Sequence, residues 1–262
     1  MKVDLKGKTA VITGAGGAIG SAMAMEFAQN GANVVVADLR EDTMMATVEE
    51  IRKAGGSAVG IGVDVANRES AFEMITKSVE AFGRVDCLVN NAGINGGPEY
   101  RKPIHEYNDN LWHRIINVDL NGVYYCSKAA VLQLQKQGTG GTIINISSIA
   151  GLTPLRLQCA FTAAKAGVIN LTKAMALELA PLNIRVNCIA PGSILFEGTR
   201  QLFYADQARA EALLSHIPLK RPGDPKEISA MTCFLASEDS SYMTGSVVTI
   251  DGGWTCGYTR DF

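Results

Sequence analysis

A helix begins with backbone N–H groups that lack intrahelical partners, and its dipole is positive there, so a glycine-rich turn that opens a helix can hold an anion. The stretch Thr13-Gly14-Ala15-Gly16-Gly17-Ala18-Ile19-Gly20 follows the apolar run 9–12 and leads into a helical pattern. It predicts a pyrophosphate site. Gly14 permits a tight turn, while Ala18 and Gly20 keep the backbone bare for close approach of ligand and of helix to strand. The plainer alternative is a glycine-rich turn that binds nothing. The next apolar run, 33–37, ends in Asp38, about 20 residues past the glycines. A carboxylate there accepts hydrogen bonds from the ribose hydroxyls of NAD and repels the 2′-phosphate of NADP. Gly17 brings no cation to that phosphate, so NAD is the expected cofactor. The alternative for Asp38 is a strand-end residue capping the helix that starts near Arg40.

The elements that must hold these residues follow from the pattern of apolar runs. Runs at 9–12, 33–37, 58–63, 85–89, 141–148, 184–190 and 246–251 alternate with helical stretches such as 67–82, where Phe72, Ile75, Val79 and Phe82 share one face. Strands apolar throughout and separated by helices predict a parallel sheet covered on both faces. Right-handed crossovers place the strand C-terminal ends on one edge, where the ligand binds. The glycine turn, Asp38, Asp64-Val65 and Asn90-Asn91-Ala92-Gly93 all fall on that edge. Asp64 is placed to recognise an adenine amino group.

The composition agrees with a small-molecule protein. The chain has 262 residues, 47% hydrophobic and 19% charged, with a formal net charge of -2. That predicts a single domain and neither a nucleic-acid nor an anionic-membrane partner. No signal-like segment or spanning apolar run occurs, so a cytoplasmic location is expected. The 6 cysteines form no C-x-x-C pair, which argues for reduced thiols over a metal or disulfide framework. Cys159 lies beside the expected site. Residues 94–111, with Gly96-Gly97-Pro98, Arg101, His105 and Tyr107, read as a polar loop overhanging it.

Thr-Gly-x-x-x-Ala-Ile-Gly, the strand-ending Asp38, Asp64-Val65 and Asn-Asn-Ala-Gly together resemble the short-chain dehydrogenase/reductase family from about residue 5 to 253. The resemblance implies a Rossmann-type, doubly wound α/β fold with a seven-stranded parallel sheet. It makes Gly14, Gly16, Gly17, Ala18, Ile19, Gly20, Asp38, Asp64, Val65, Asn91, Ala92 and Gly93 cofactor-binding. It adds Lys165, Pro191, Gly192 and Ile194 to that set, and Ser148 as the hydroxyl that bonds the reacting oxygen. It also implies a homotetramer paired through the helices at 112–137 and 161–182 and through the last strand. Val168, Leu171, Met175 and Leu179 form an apolar stripe that serves either that interface or the core.

The sequence departs from the family pattern at Ala18, where the family usually has glycine and a methyl group is expected to be tolerated, and at functional positions. An Asn-Leu-x-Gly context about two turns into the helix at 112–137 is matched by Asp119-Leu120-Asn121-Gly122, which puts Asp119 where the family asparagine holds a water. Tyr-x-x-x-Lys, thirteen residues past the serine, falls on Phe161-Thr162-Ala163-Ala164-Lys165. Positions i and i+4 of a helix share a face, so Lys165 lies beside the ring of residue 161. A tyrosine there would be the general acid/base; phenylalanine has no proton to give. Phe196 stands where the family has a threonine, with Thr199 nearby. The catalytic set is thus Ser148, Phe161, Lys165 and Asp119. The resemblance implies an NAD-dependent oxidoreductase interconverting a secondary alcohol and a ketone, inactivated here by a tyrosine-to-phenylalanine variation. Arg156, Gln158, His105, Glu197 and Arg200 point to a sugar, polyol or hydroxy acid. Leu152, Leu155, Leu157, Phe196, Leu202 and Phe203 point instead to a steroid or other apolar alcohol. A non-catalytic NAD-binding sensor is the alternative of another class. Residues 195–217 are expected to form a helical lid.

Overall fold

The computed structural model describes residues 2–257. The apolar runs form seven parallel strands: β1 (Thr9–Thr13), β2 (Asn33–Asp38), β3 (Ser57–Gly62), β4 (Cys87–Asn90), β5 (Gly141–Ile146), β6 (Ile184–Pro191) and β7 (Val247–Ile250). Their order is β3-β2-β1-β4-β5-β6-β7. All residues of β1 and β4 are buried, as a sheet covered on both faces requires. The order reverses between β1 and β4, where Ala10 pairs with Cys87, Val11 with Leu88 and Ile12 with Val89. A ligand crevice opens beyond the carboxyl ends of such a pair.

Two apolar cores flank the sheet. On one face α1 (Ala18–Gln29), α2 (Glu41–Lys53) and α9 (Pro225–Ala236) bury Phe27, Ile51 and Ile228. On the other, α3 (Arg68–Phe82), α5 (Gly122–Gln137) and α6 (Cys159–Leu179) bury Met74, Leu134 and Met175. Local chemistry sets the helix ends. The Asn67 side chain accepts from Ser70 N at 2.9 Å, and Gly83 ends α3 at φ 77° in the left-handed conformation that glycine adopts without strain. Asp224 and Glu227 form a reciprocal capping box on α9.

The helix expected at 112–137 is broken. It starts earlier, as α4 (Asp109–Ile116), passes through a π-helical turn (Asn117–Asn121) and continues as α5. Such turns often mark functional sites; this one carries Asp119. Residues 94–111 contain two short 3-10 turns, Pro98–Tyr100 and Ile104–Glu106. The lid comprises a single turn α7 (Glu197–Thr199), a π-helical stretch (Arg200–Tyr204) and α8 (Gln207–Ser215). Within the stripe on α6, Val168 and Met175 are buried, and Leu171 and Leu179 pack half-buried against the core that holds Met175, so the stripe contributes to the core.

A buried polar chain ties the strand ends to the helices behind them. Asn90 Nδ2 donates to Ser127 Oγ at 2.9 Å and to Asn145 Oδ1 at 2.8 Å. Asn145 Nδ2 donates in turn to Thr172 Oγ1 at 2.9 Å. These bonds join β4, β5, α5 and α6 directly beneath the sheet edge and hold their relative heights.

Candidate active site

The nucleotide half is made mostly of backbone. Gly14 has φ 65°, and a Cβ on it would stand 2.8 Å from Ala92 Cα. The Asn91 carboxamide donates to Thr13 O at 2.9 Å and to Gly14 O at 3.2 Å, and Thr13 Oγ1 accepts from Asn91 N and Ala92 N. The segment after β4 therefore braces the glycine turn from the neighbouring strand. No side chain caps the N-terminus of α1, which leaves its first-turn N–H groups for a ligand. A cavity of about 850 Å³ lies in front, lined by Gly14, Gly17, Ala18, Ile19, Gly20, Asp38, Asp64, Val65, Ala92 and Gly93.

Asp38 stands both at the cavity and at the start of α2. It lines the cavity, and its buried carboxylate accepts from Gly16 N at 2.9 Å and Arg40 N at 3.0 Å, so it also shapes the start of α2. Gly16 donates its N–H to Asp38, and its bare Cα clears Thr43 and Asp38. Arg40 lines the same wall with Nε 3.9 Å from Asp38 Oδ1. Position 17 carries no cation, but Arg40, two residues past Asp38, brings one to this wall. Asp64 is exposed on the rim and accepts from Ala66 N at 3.0 Å.

The second half is made of side chains. A cavity of about 560 Å³ shares Ile19, Asn91, Gly93, Ile94 and Phe196 with the first. Ser148, Phe161, Lys165 and Asp119 all line it. The two serines after β5 divide their work. Ser147 Oγ donates to Lys165 O at 2.8 Å and anchors α6, whereas Ser148 Oγ accepts from Ala150 N at 3.1 Å and keeps its proton for the cavity. One turn of α6 separates Phe161 and Lys165, and Lys165 Nζ lies 5.6 Å from the Phe161 ring centroid.

Lys165 is 5% exposed and Asp119 0%. Lys165 Nζ donates to Ile146 O at 3.3 Å and lies 3.1 Å from Asp119 Oδ2. Asp119 Oδ1 accepts from Ile94 N at 2.8 Å, while Oδ2 makes ion-pair contact without a directional hydrogen bond. Burial pushes the Asp119 carboxyl above the usual carboxylate range, and the Lys165 ammonium and the Ile94 N–H pull it back. Gly93 admits the pair closely, since a Cβ there would stand 3.0 Å from Asp119 Oδ2 and 3.2 Å from Lys165 Nζ.

Pro191, Gly192, Ser193, Ile194 and Phe196 close the cavity from the end of β6. Thr199 turns its hydroxyl back onto this segment, donating to Ile194 O at 2.7 Å and accepting from Phe196 N at 2.9 Å. Of the substrate-side residues, Arg156, Gln158, Leu155 and Arg101 are on the wall. His105 is not: it is exposed, 3.4 Å from Glu106. Glu197 and Arg200 face each other at 3.9 Å on the exposed surface of the lid. Leu152 is exposed, and Leu157 and Cys159 line a separate groove with Pro103 and Ile104. The side chains of Leu202 and Phe203 lie outside the described residues. Asn95, Leu213 and Trp254 complete the wall, and no local pattern announced them. Cys87, Cys126, Cys188 and Cys233 are buried free thiols, whereas Cys256 is exposed.

Residues 14–255 match the family described as Enoyl-(Acyl carrier protein) reductase. The chain is 39% identical over 254 residues to a 3beta-hydroxysteroid dehydrogenase 2 of Eggerthella lenta, covering 96% of each chain. It is 37% identical over 253 residues to an L-rhamnose 1-dehydrogenase (NAD(P)(+)) of Azotobacter vinelandii, covering 94% of this chain and 96% of that one. A solved short-chain type dehydrogenase/reductase from Mycobacterium marinum superposes with a TM-score of 0.89 at 38% identity, covering 97% of this chain and 98% of that one. With the strand order, the glycine turn and the Ser148, Phe161 and Lys165 placement, these likenesses establish that the chain belongs to the short-chain dehydrogenase/reductase family.

Proposed function

We propose that this chain is an NAD-binding oxidoreductase for a secondary alcohol and its ketone, held back in this form by Phe161. The observation that carries the reading is one continuous crevice. It runs from Asp38 to Ser148 and Lys165, with a ring that lacks only a hydroxyl in the place of a proton-transfer residue. The uncapped start of α1, the bare glycine turn and Asp38 fit the diphosphate and adenosine ribose of a dinucleotide, and Lys165 fits its second ribose. When bound, NAD supplies the hydride acceptor at the nicotinamide ring. Ser148 holds the substrate oxygen, and Lys165 contributes fixed positive charge. The proton released or taken up at that oxygen has no carrier at position 161.

NAD is favoured over NADP because Asp38 would oppose a 2′-phosphate by on the order of 1 to 3 kcal/mol. Arg40 beside it offsets part of that repulsion. Arg101, Arg156 and Gln158 on the wall support a sugar, polyol or hydroxy acid. Leu155, Phe196, Leu213 and Trp254 support an apolar alcohol as a second reading, which the steroid dehydrogenase relative also favours. A homotetramer fits the exposed Tyr124, Leu132 and Leu177 on α5 and α6. Sedimentation at micromolar concentration tests it, and a monomer would rule it out.

The test of the function is an alcohol panel assayed with NAD on the Phe161→Tyr form. Reduction of NAD with one chemical class of alcohol is expected. A Phe161→Tyr form that binds NAD and alcohol yet reduces no NAD would leave a binding or sensing protein as the correct reading.

A further inference from the structure

Two departures from the family pattern meet at one ammonium. Phe161 lies over Lys165 Nζ from the same helix, and Asp119 reaches it from the π-helical turn. Lys165 is 5% exposed, and a buried charge is costly unless it is paired. Asp119 pairs it from 3.1 Å. We propose that Asp119 is a positioning residue that serves as the counter-ion of Lys165, keeping the ammonium charged and fixed for a dinucleotide while cancelling its effect on residue 161.

The geometry supports a dedicated contact. Asp119 Oδ1 is secured by the Ile94 N–H at 2.8 Å, and Oδ2 is buried against the Lys165 ammonium at 3.1 Å, so that oxygen is committed to the ion pair. Asparagine in its place would present an amide of the same shape and no charge. The ammonium would then act on residue 161 without compensation. The other ionisable groups facing the pair are few. Cys188 on β6 is pushed up to about 11 by burial. Tyr107 and Cys159 lie near residue 161, with the Tyr107 phenol raised by burial. Arg101 and Arg156 stand on the cavity wall, and His113 and Arg114 of α4 face the nucleotide cavity.

The inference takes from the proposed function only that residue 161 is the proton-transfer position. Its test is a phenol titration in ligand-free protein, read by tyrosinate absorbance as a difference against the parent chain, so it needs no turnover. An inactive Phe161→Tyr enzyme would remove the catalytic reading and leave this one standing. The phenol of Phe161→Tyr should titrate near the ordinary tyrosine value of about 10. Adding Asp119→Asn should lower it by about 1 pH unit or more. On the parent background, Asp119→Asn, which leaves the buried Lys165 without its counter-ion, should make NAD binding fall by about tenfold between pH 7 and pH 9.5, while the parent changes by less than about threefold. If Phe161→Tyr alone already titrates well below 10, Asp119 does not cancel the ammonium and the proposal is overturned; that arm needs no second substitution. Phenol titrations that coincide with and without Asp119, or NAD binding in Asp119→Asn as insensitive to pH as the parent's, would overturn it as well.

Discussion

The two halves of the crevice are built from different material. The nucleotide half rests on the turn after β1, the N-terminus of α1 and the segment after β4, with Asp38 its one buried charged side chain. The reaction half collects Ser148 after β5, Phe161 and Lys165 from α6, Asp119 from the π-helical turn and Phe196 after β6. Of the departures from the family pattern, Asp119 and Phe161 are side chains of the second half, Phe196 lines both, and Ala18 in the glycine turn adds only a methyl group to the first. Backbone N–H groups persist through most substitutions, whereas a proton carrier disappears with one atom. On the proposed function, binding and chemistry are therefore expected to be separable.

Substitutions sharpen that separation in order of size. Phe161→Tyr should raise turnover by at least about 10³, the upper part of a general acid/base contribution together with a hydrogen bond to the substrate oxygen. Comparison of kcat on the alcohol that the panel identifies checks it. In the nucleotide half, Gly20→Val should weaken NAD binding by about 100-fold, because its side chain would run into the Gly14 carbonyl, Ala15 Cα and the Asn91 carboxamide. Calorimetric titration reads this loss, and a thermal melt separates it from unfolding. Retained affinity would break the assignment of that turn. Asp38→Asn keeps the shape and removes the charge, so the NAD-to-NADP affinity ratio should fall by about tenfold with Arg40 left in place. An unchanged ratio would show that Asp38 does not face the 2′ position. Asp64→Ala should cost about threefold in NAD affinity, since an exposed rim hydrogen bond is worth little.

The halves also differ in how far the sequence revealed them. Strand runs and the glycine turn are local patterns, so the sheet, its edge and the turn that lines the cavity there are readable from the periodicity of apolar residues and the bare residues 14–20. The break at 117–121 was hidden because the helical pattern continues across it, and one extra residue per turn leaves no compositional trace. The pairing of Asp119 with Lys165 was hidden for another reason: the two are far apart in sequence, and only the packing of the π-helical turn against α6 brings them together. His105 was misplaced because a loop's polarity does not tell which of its residues turn inward; Arg101 does and His105 does not. Leu213 and Trp254 reach the wall from the lid and from beyond β7, a closure that no short window contains.

The separation itself is most directly tested by titrating NAD into the parent chain and into Phe161→Tyr. The nucleotide half is intact in both, so both should bind, with dissociation constants within about threefold of each other. A parent chain that fails to bind NAD, or binds only once the tyrosine is present, would contradict the account by showing that residue 161 is part of the binding site and that the two halves do not act apart.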